Sequence, residues 1–196
     1  MNKINNIQFR IIKQKQFLDL IVSLHKTTFK NVFSGQLGKS FLKYYYTQVF
    51  KRGFVIACFN GDEIIGFVSG ILDETKLLDF RLVFYLVKAF FMNFFKREFH
   101  LNFIRYIKRK LIIKDQKYKT ELLSIIIKPE HRGNGFGRKL IIEFDKCLQS
   151  QDIKCYKLFT DTNYSTGHFL YDKMDFVLKQ EVDLYGLNFR MYIRNL

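Results

Sequence analysis

The chain has 196 residues, 48% of them hydrophobic, which is the length of one domain with ample material for a core and excludes a disordered chain. Its formal charge of +15 calls for an anionic partner: nucleic acid, an acidic membrane or a phosphate-bearing cofactor. Three cysteines, Cys58, Cys147 and Cys155, are an odd number without a Cys-x-x-Cys pair. They exclude a disulfide framework and a zinc site, and read as incidental thiols in a reducing compartment.

Met1 to Gln16 alternates polar and apolar residues, so no secretory leader is expected. The longest uncharged stretch of the Phe-rich middle, Ala89 to Phe95, falls far short of the ~20 apolar residues a membrane span needs. The expected location is the cytoplasm, with peripheral contact at the inner face of the membrane left open by a basic segment described below.

In chain order, Ile7 to Ile12 reads as a strand by its β-branched content. Lys15 to Phe29 carries Phe17, Leu20, Ile21 and Leu24 at helical spacing, and after a loop with Ser34 and Gly35 a second helix runs from Leu37 to Phe50, ended by Gly53. Phe54 to Phe59 and Glu63 to Leu72 form a hairpin about Asn60-Gly61-Asp62. Gly66 and Gly70 within its second arm predict a bulge or a close backbone approach. Glu121 to Ile127 is a nearly continuous apolar run, the pattern of a central strand covered on both faces. Beyond Pro129 and a glycine-rich turn come a helix over Gly135 to Gln149, a strand over Lys154 to Thr160 and a helix over Asn163 to Met174. Two closing strands, Phe176 to Asp183 and Asn188 to Ile193, meet at Tyr185-Gly186. This order, β-α-α-β-β-(insert)-β-α-β-α-β-β, predicts one α/β domain over residues 1–196 with a single mixed sheet of about seven strands flanked by helices.

The chemistry concentrates in Pro129-Glu130-His131-Arg132-Gly133-Asn134-Gly135-Phe136-Gly137-Arg138-Lys139-Leu140, where a buried strand turns into an amphipathic helix. Such a junction aims unpaired N–H groups and the positive helix end at one point, which suits an anion. Glycines there let phosphate oxygens come close to the backbone, and Arg132, Arg138 and Lys139 add charge. The loop lacks the Gly-Lys-Ser/Thr ending of a P-loop, and its glycines at 133, 135 and 137 have the wrong spacing for the dinucleotide fingerprint.

Arg132 to Gly137 resembles the Arg/Gln-x-x-Gly-x-Gly/Ala pyrophosphate loop of the GNAT acetyltransferase superfamily, and the preceding Ile-Ile-Ile-Lys-Pro-Glu-His resembles the strand and turn that lead into it. The resemblance implies acetyl-CoA as co-substrate, lying where the Glu121 to Ile127 strand splays from the next parallel strand. Its pyrophosphate would meet Arg132, Gly133, Asn134, Gly135, Phe136, Gly137 and Arg138. Backbone groups of Ile125, Ile126 and Ile127 would pair with the pantetheine arm, and an N–H near Ile126 would polarise the thioester carbonyl, a donor placed where negative charge develops. Asn163 to Phe176 is similar to the family's Asn…Ala…Phe-Tyr-x-x-x-Gly-Phe helix. That likeness implies Asn163 as a cofactor contact and Tyr171 as the general acid for the departing thiolate, a role a phenol can fill because it stays protonated at neutral pH. Two departures stand out: Asn163 lies one residue further from Tyr171 than is usual, and Asp175 replaces the usual glycine. Glu121 matches the catalytic glutamate position of the histone acetyltransferase branch, which implies a base for the amine; a solvated strand-end carboxylate is the other reading. Ser124 is placed to orient a water instead. His25, His100, His131 and His168 show no metal spacing and read as structural or solvated.

The segment Lys76 to Lys114 departs from the rest in composition. Phe80 to Ile112 holds ten aromatic residues and eight Lys/Arg against one acid, Glu98, at helical spacing, and predicts two helices broken near Arg97 to Phe99. Its aromatics either pack on the domain under a solvated basic face, or rest on an anionic bilayer, or wall the site of a large or lipid-linked acceptor. Basic residues mixed with aromatics also suit single-stranded nucleic acid, but no nucleic-acid motif accompanies them.

In the superfamily the early helices shape the acceptor site, which here points to Phe29, Phe33 and Leu37. The pattern from Phe33 to Tyr46 resembles GNAT proteins of surface-polysaccharide synthesis and implies a small amine such as an amino sugar, nucleotide- or lipid-linked. Two rivals remain at this level: acetylation of a protein N-terminus or lysine, and a membrane- or nucleic-acid-binding module on an inactive core.

Overall fold

A computed structural model describes residues 6–13, 15–30, 33–77, 79–93, 95–112, 117–161 and 165–196. Its strands are β1 (Ile7–Ile12), β2 (Gly53–Asn60), β3 (Glu63–Ile71), β4 (Glu121–Ile127), β5 (Cys155–Asp161), β6 (Val177–Asp183) and β7 (Asn188–Asn195). Its helices are α1 (Leu18–Thr28), α2 (Phe33–Gln36), α3 (Gly38–Arg52), α4 (Phe80–Met92), α5 (Arg97–Ile112), α6 (Phe136–Gln149) and α7 (Ser165–Asp172). The seven strands form one sheet in the order β1-β2-β3-β4-β5-β7-β6, antiparallel throughout except for β4 and β5. This is the mixed α/β sheet that the order of apolar segments predicts.

The sheet is covered on both faces, and β2 shows how alternation achieves it. Val55, Ala57 and Phe59 join Ile21, Val22, Leu42 and Tyr46 of α1 and α3 in one core. Phe54, Ile56 and Cys58 join Leu140, Phe144 and Leu148 of α6 in another. Successive side chains of a strand point to opposite faces, so an unbroken apolar run is what a strand between two helical layers requires. In α6, Phe136, Leu140, Ile141, Phe144 and Leu148 fall on one face and are buried.

The β2–β3 turn is two residues, Gly61 and Asp62, and Gly61 takes the left-handed conformation with φ +61°. Gly66 and Gly70 fulfil both expectations made of them. Ser69 pairs with Ser124 and Gly70 with Leu122, which leaves Leu123 as an extra residue and bulges β4. A Cβ at Gly66 would stand 2.5 Å from the Ile126 carbonyl, and one at Gly70 would meet the Phe144 ring. Asp175 adopts φ +56°, so the turn into β6 demands the left-handed conformation that glycine takes freely and that aspartate tolerates.

The break in the insert falls at Asn93 to Lys96, earlier than Arg97 to Phe99. Asn93 ends α4 by donating its side-chain amide to the Ala89 carbonyl at 2.8 Å, and the Lys96 N–H then closes a turn on Asn93. The Asp79 carboxylate caps the other end of α4 by accepting from the Leu82 N–H at 2.9 Å. Ser34 and Gly35, read as a loop, belong to the single-turn helix α2 instead, in which Phe33 and Gly35 are buried.

Replacing Gly66 by alanine forces β3 away from β4 and should cost about 1–3 kcal/mol, the usual penalty for overpacking a closed interior. Urea denaturation of the variant checks this.

Candidate functional site

β4 and β5 are each seven residues long yet pair only through Glu121↔Lys157 and Leu122↔Leu158. Beyond Leu122 the two strands diverge. The edge of β4 that faces β5 therefore runs past Ile125, Ile126 and Ile127 without a sheet partner, while its other edge stays paired with β3 as far as Gly66↔Ile127. The divergence opens a cavity of about 740 Å³. Among the described candidate residues, all line it except Asn134 and Lys139. Asn163 lies outside the described residues.

At one end of the cavity lies the glycine-rich loop. Pro129–His131 forms a 3-10 turn, after which Gly133 (φ +81°) and Gly135 (φ +74°) swing the backbone through left-handed conformations into α6. No side chain caps that helix, so its first N–H groups point out of the helix end toward the loop. The Arg132 Nε donates to the Ile127 carbonyl at 3.1 Å, holding the guanidinium against the end of β4. The Asn134 amide donates to the carbonyls of His131 and Arg132, both at 3.2 Å, and so tightens the loop. At Gly137 the φ angle is ordinary, and a Cβ would sit 3.4 Å from Leu170 and 3.9 Å from Ile125. Room, not backbone freedom, is what glycine supplies there. Uncapped N–H groups, two left-handed glycines and the cations Arg132 and Arg138 fit a pyrophosphate.

Tyr171 is buried, its ring centroid 5.2 Å from that of Phe176 and 5.7 Å from that of Tyr192. Burial pushes its phenol above the ordinary tyrosine range, with Tyr192 adding to the effect, so the proton is retained at neutral pH. Glu121 opens β4 and is also buried, and its charge is felt by Tyr45, whose phenol is raised first by burial, then by Tyr46 and Glu121. Both candidate proton carriers thus face the same cavity as the glycine-rich loop.

A buried polar chain reaches the cavity that spacing did not disclose. His25 Nδ1 lies 2.7 Å from the Tyr46 hydroxyl and Nε2 lies 3.1 Å from Ser34 Oγ. Tyr46 in turn meets Ser124 on β4. His25 is buried, and burial lowers its pKa to about 4. The imidazole is therefore neutral at physiological pH.

The end of the cavity away from the loop is walled by Phe29, Phe33 and Leu37, the residues expected at the acceptor site, and also by Asn102, Arg105 and Arg109 of α5. These three polar residues recur at i, i+3 and i+7, one face of a helix, and that spacing was the available signal. Arg105 donates to the Leu184 carbonyl at 3.0 Å and to that of Tyr185, which ties the insert to the closing hairpin. The Arg109 guanidinium lies 5.0 Å from the Phe159 ring centroid and 5.7 Å from that of Phe189. Ring faces hold it in place while leaving its charge uncancelled. Thr160 and Asp161, at the carboxyl end of β5, complete this region.

Against known proteins, the model of the acetyltransferase (GNAT) family matches residues 19–176, and the chain belongs to that family. Solved structures agree on the fold. Arylalkylamine N-acetyltransferase 2 from Aedes aegypti superposes with a TM-score of 0.72 at 15% identity, covering 97% of this chain and 99% of the other. NAA60 from Arabidopsis thaliana, in complex with a bisubstrate analogue, gives 0.60 at 15% identity over 97% and 98%. The PaiA N-acetyltransferase from Thermoplasma acidophilum, in complex with coenzyme A, gives 0.58 at 14% identity over 97% and 99%. No curated protein matches the chain by sequence.

Two outcomes follow from this geometry. A Gly135→Val variant cannot relax into the left-handed region without about 1–2 kcal/mol of strain, and should lose at least tenfold in affinity for acetyl-CoA by calorimetry while Gly137→Ala loses less. For His25 the folded pKa lies below the unfolded value of 6.5, so the unfolded chain binds the proton more readily. Stability should then fall as pH drops from about 6.5 to about 4, by up to about 3 kcal/mol. In a His25→Gln variant that slope should flatten, as read by denaturation across this pH range.

Proposed function

We propose that the protein transfers an acetyl group from acetyl-CoA to a primary amine on a small molecule, by direct attack with both substrates bound. The observation that supports this reading is the single cavity lined at one end by the glycine-rich loop and at the other, the acceptor chamber, by residues of α1 to α3 and α5. The unpaired edge of β4 offers N–H and C=O groups to the peptide-like pantetheine arm, and this orients the thioester toward the chamber. The amine, once deprotonated, attacks the thioester carbonyl, the carbon–sulfur bond breaks, and the sulfur leaves with the proton of the Tyr171 hydroxyl. Glu121 takes the proton that the nitrogen loses as the tetrahedral intermediate collapses to the amide, and its return through solvent to the Tyr171 phenolate restores both groups. A backbone N–H near Ile126 receives the negative charge that develops on the carbonyl oxygen.

The chamber also supports an acceptor class. Residues of α1 to α3 line this end on one side and residues of α5 on the other, which supports a small acceptor held between them. Arg105 and Arg109 place positive charge in its wall, which favours an amine that also bears a phosphate, as a nucleotide-linked amino sugar does. The protein is read as working in the cytoplasm.

Calorimetric titration with acetyl-CoA, followed by a turnover screen of nucleotide amino sugars, tests the reading. Tyr171→Phe should bind acetyl-CoA as the wild type does and lose about 10²-fold or more in kcat. Arg109→Gln should raise KM for phosphorylated amines and spare neutral ones. A wild-type protein that binds no acetyl-CoA would refute the reading, and undiminished turnover by Tyr171→Phe would remove that residue as the acid.

A further inference from the structure

The outer face of α4 is apolar, which a helix lying on a soluble domain does not require. Its inner face, Leu82, Leu86 and Ala89, is buried. At 100° per residue, Phe80, Val83, Phe84, Val87 and Phe91 fall within an arc about 100° wide on the opposite side. Their exposures are 78%, 50%, 64%, 48% and 69%, and Met92 (75%) at the last helical position and Phe95 (97%) beyond it add to the exposed apolar surface. Isolated exposed apolar residues are ordinary; seven in one short segment, four of them phenylalanine, are the mark of a contact surface.

Charge selects the occupant. Between Phe80 and Arg97 there is no acidic residue, and Arg81, Lys88, Lys96 and Arg97 are all exposed. On the helical projection Lys88 and Arg81 border the apolar arc directly. A second copy of the chain, docked by a two-fold axis, would press these four cations against the same four, in a molecule already at +15. An anionic bilayer meets both features at once: aromatic and aliphatic side chains enter the headgroup–acyl boundary while the cations sit among the phosphates. Among the described residues no helix is long and apolar enough to cross a membrane. A 13-residue helix of about 20 Å, flanked by cations, is instead built to lie in the plane of the surface.

We propose that α4 and the Asn93 to Arg97 connection form a docking surface for anionic lipid bilayers. The surface stands apart from the transfer chemistry, and either can fail without the other. It is nonetheless mechanically joined to the acceptor chamber. Phe90 of α4 packs on His100 at 4.8 Å and on Phe103 at 5.3 Å between ring centroids, and α5 forms the chamber wall.

Co-sedimentation of the full chain with vesicles tests this. Phosphatidylcholine vesicles are compared with a phosphatidylcholine–phosphatidylserine mixture, at low and high salt. The expected result is binding to the mixed vesicles alone, weakened by salt and reduced about fivefold by each of Arg81→Gln and Lys88→Gln. Phe84→Ser combined with Phe91→Ser should reduce binding at least tenfold while leaving the melting temperature and acetyl-CoA affinity of the exposed-site variant unchanged. No binding of the wild type overturns the proposal. So does binding that the double serine variant leaves intact, because charge alone would then account for adsorption. A concentration-dependent dimer abolished by the same variant would assign the stripe to a second copy.

Discussion

Everything at the site depends on two strands that pair for two residues and then part. The closed end of the wedge is strongly fastened. The Lys157 N–H donates to the Thr120 carbonyl at 3.0 Å, the Thr120 hydroxyl donates to the Leu72 carbonyl at 3.0 Å, and the buried Lys157 ammonium pairs with Glu74. A buried ion pair adds little net stability, but breaking it is costly, so it fixes one geometry. The open end is set by the bulge at Leu123 and by Gly66 and Gly70, which let β3 hold β4 closely on one side. The result is a central strand with one satisfied edge and one edge of backbone groups without a sheet partner, in a cavity between two hydrophobic cores. Unpaired N–H and C=O groups in such a place are costly, and an extended amide-bearing ligand relieves that cost.

The same low-dielectric setting sorts the protonation states. Burial keeps Tyr171 and Tyr45 protonated and His25 neutral, each by penalising the charged form. Full positive charge is confined to the two ends, Arg132 and Arg138 at the glycine-rich loop and Arg105 and Arg109 at the acceptor wall. On the proposed reading, an anionic co-substrate and a phosphate-bearing acceptor are drawn to opposite ends, and their reactive atoms meet between them beside Glu121 and Tyr171. Such a division of charge serves positioning, which is a large share of what catalysis of a bimolecular transfer needs.

What the sequence discloses here is what local pattern can encode. β4 is legible because Glu121 to Ile127 is an apolar run closed by Pro129, and the anion site is legible because left-handed glycines stand immediately before an amphipathic helix. Even the replacement of a glycine by Asp175 marks a real conformational demand, since the residue sits at φ +56°. The His25 chain is not legible, because its partners Ser34 and Tyr46 lie 9 and 21 residues away and meet His25 through the packing of α1 on α2 and α3. The role of Asn102, Arg105 and Arg109 is hidden for another reason. Within a segment so rich in cations, their helical spacing cannot be told from that of a solvated basic face until the fold turns that face inward.

The insert then takes on a meaning that neither of its helices has alone. Helix α5 turns Arg105 and Arg109 toward the cavity and packs aromatics on α2, with Phe33 and Tyr106 5.2 Å apart between centroids. Helix α4 shields α3 with one face and leaves phenylalanines on the other. Helix α4 therefore lies outside α3, which itself lines the cavity through Phe41, Leu42 and Tyr45, and it meets α5 through Phe90. An apolar stripe placed one helix beyond an acceptor wall would be an aggregation hazard if it had no occupant, and the cations on its border oppose self-association while favouring an anionic surface. On the proposed docking, both conditions are met when α4 rests on an anionic lipid face with the cavity behind α3 and α5.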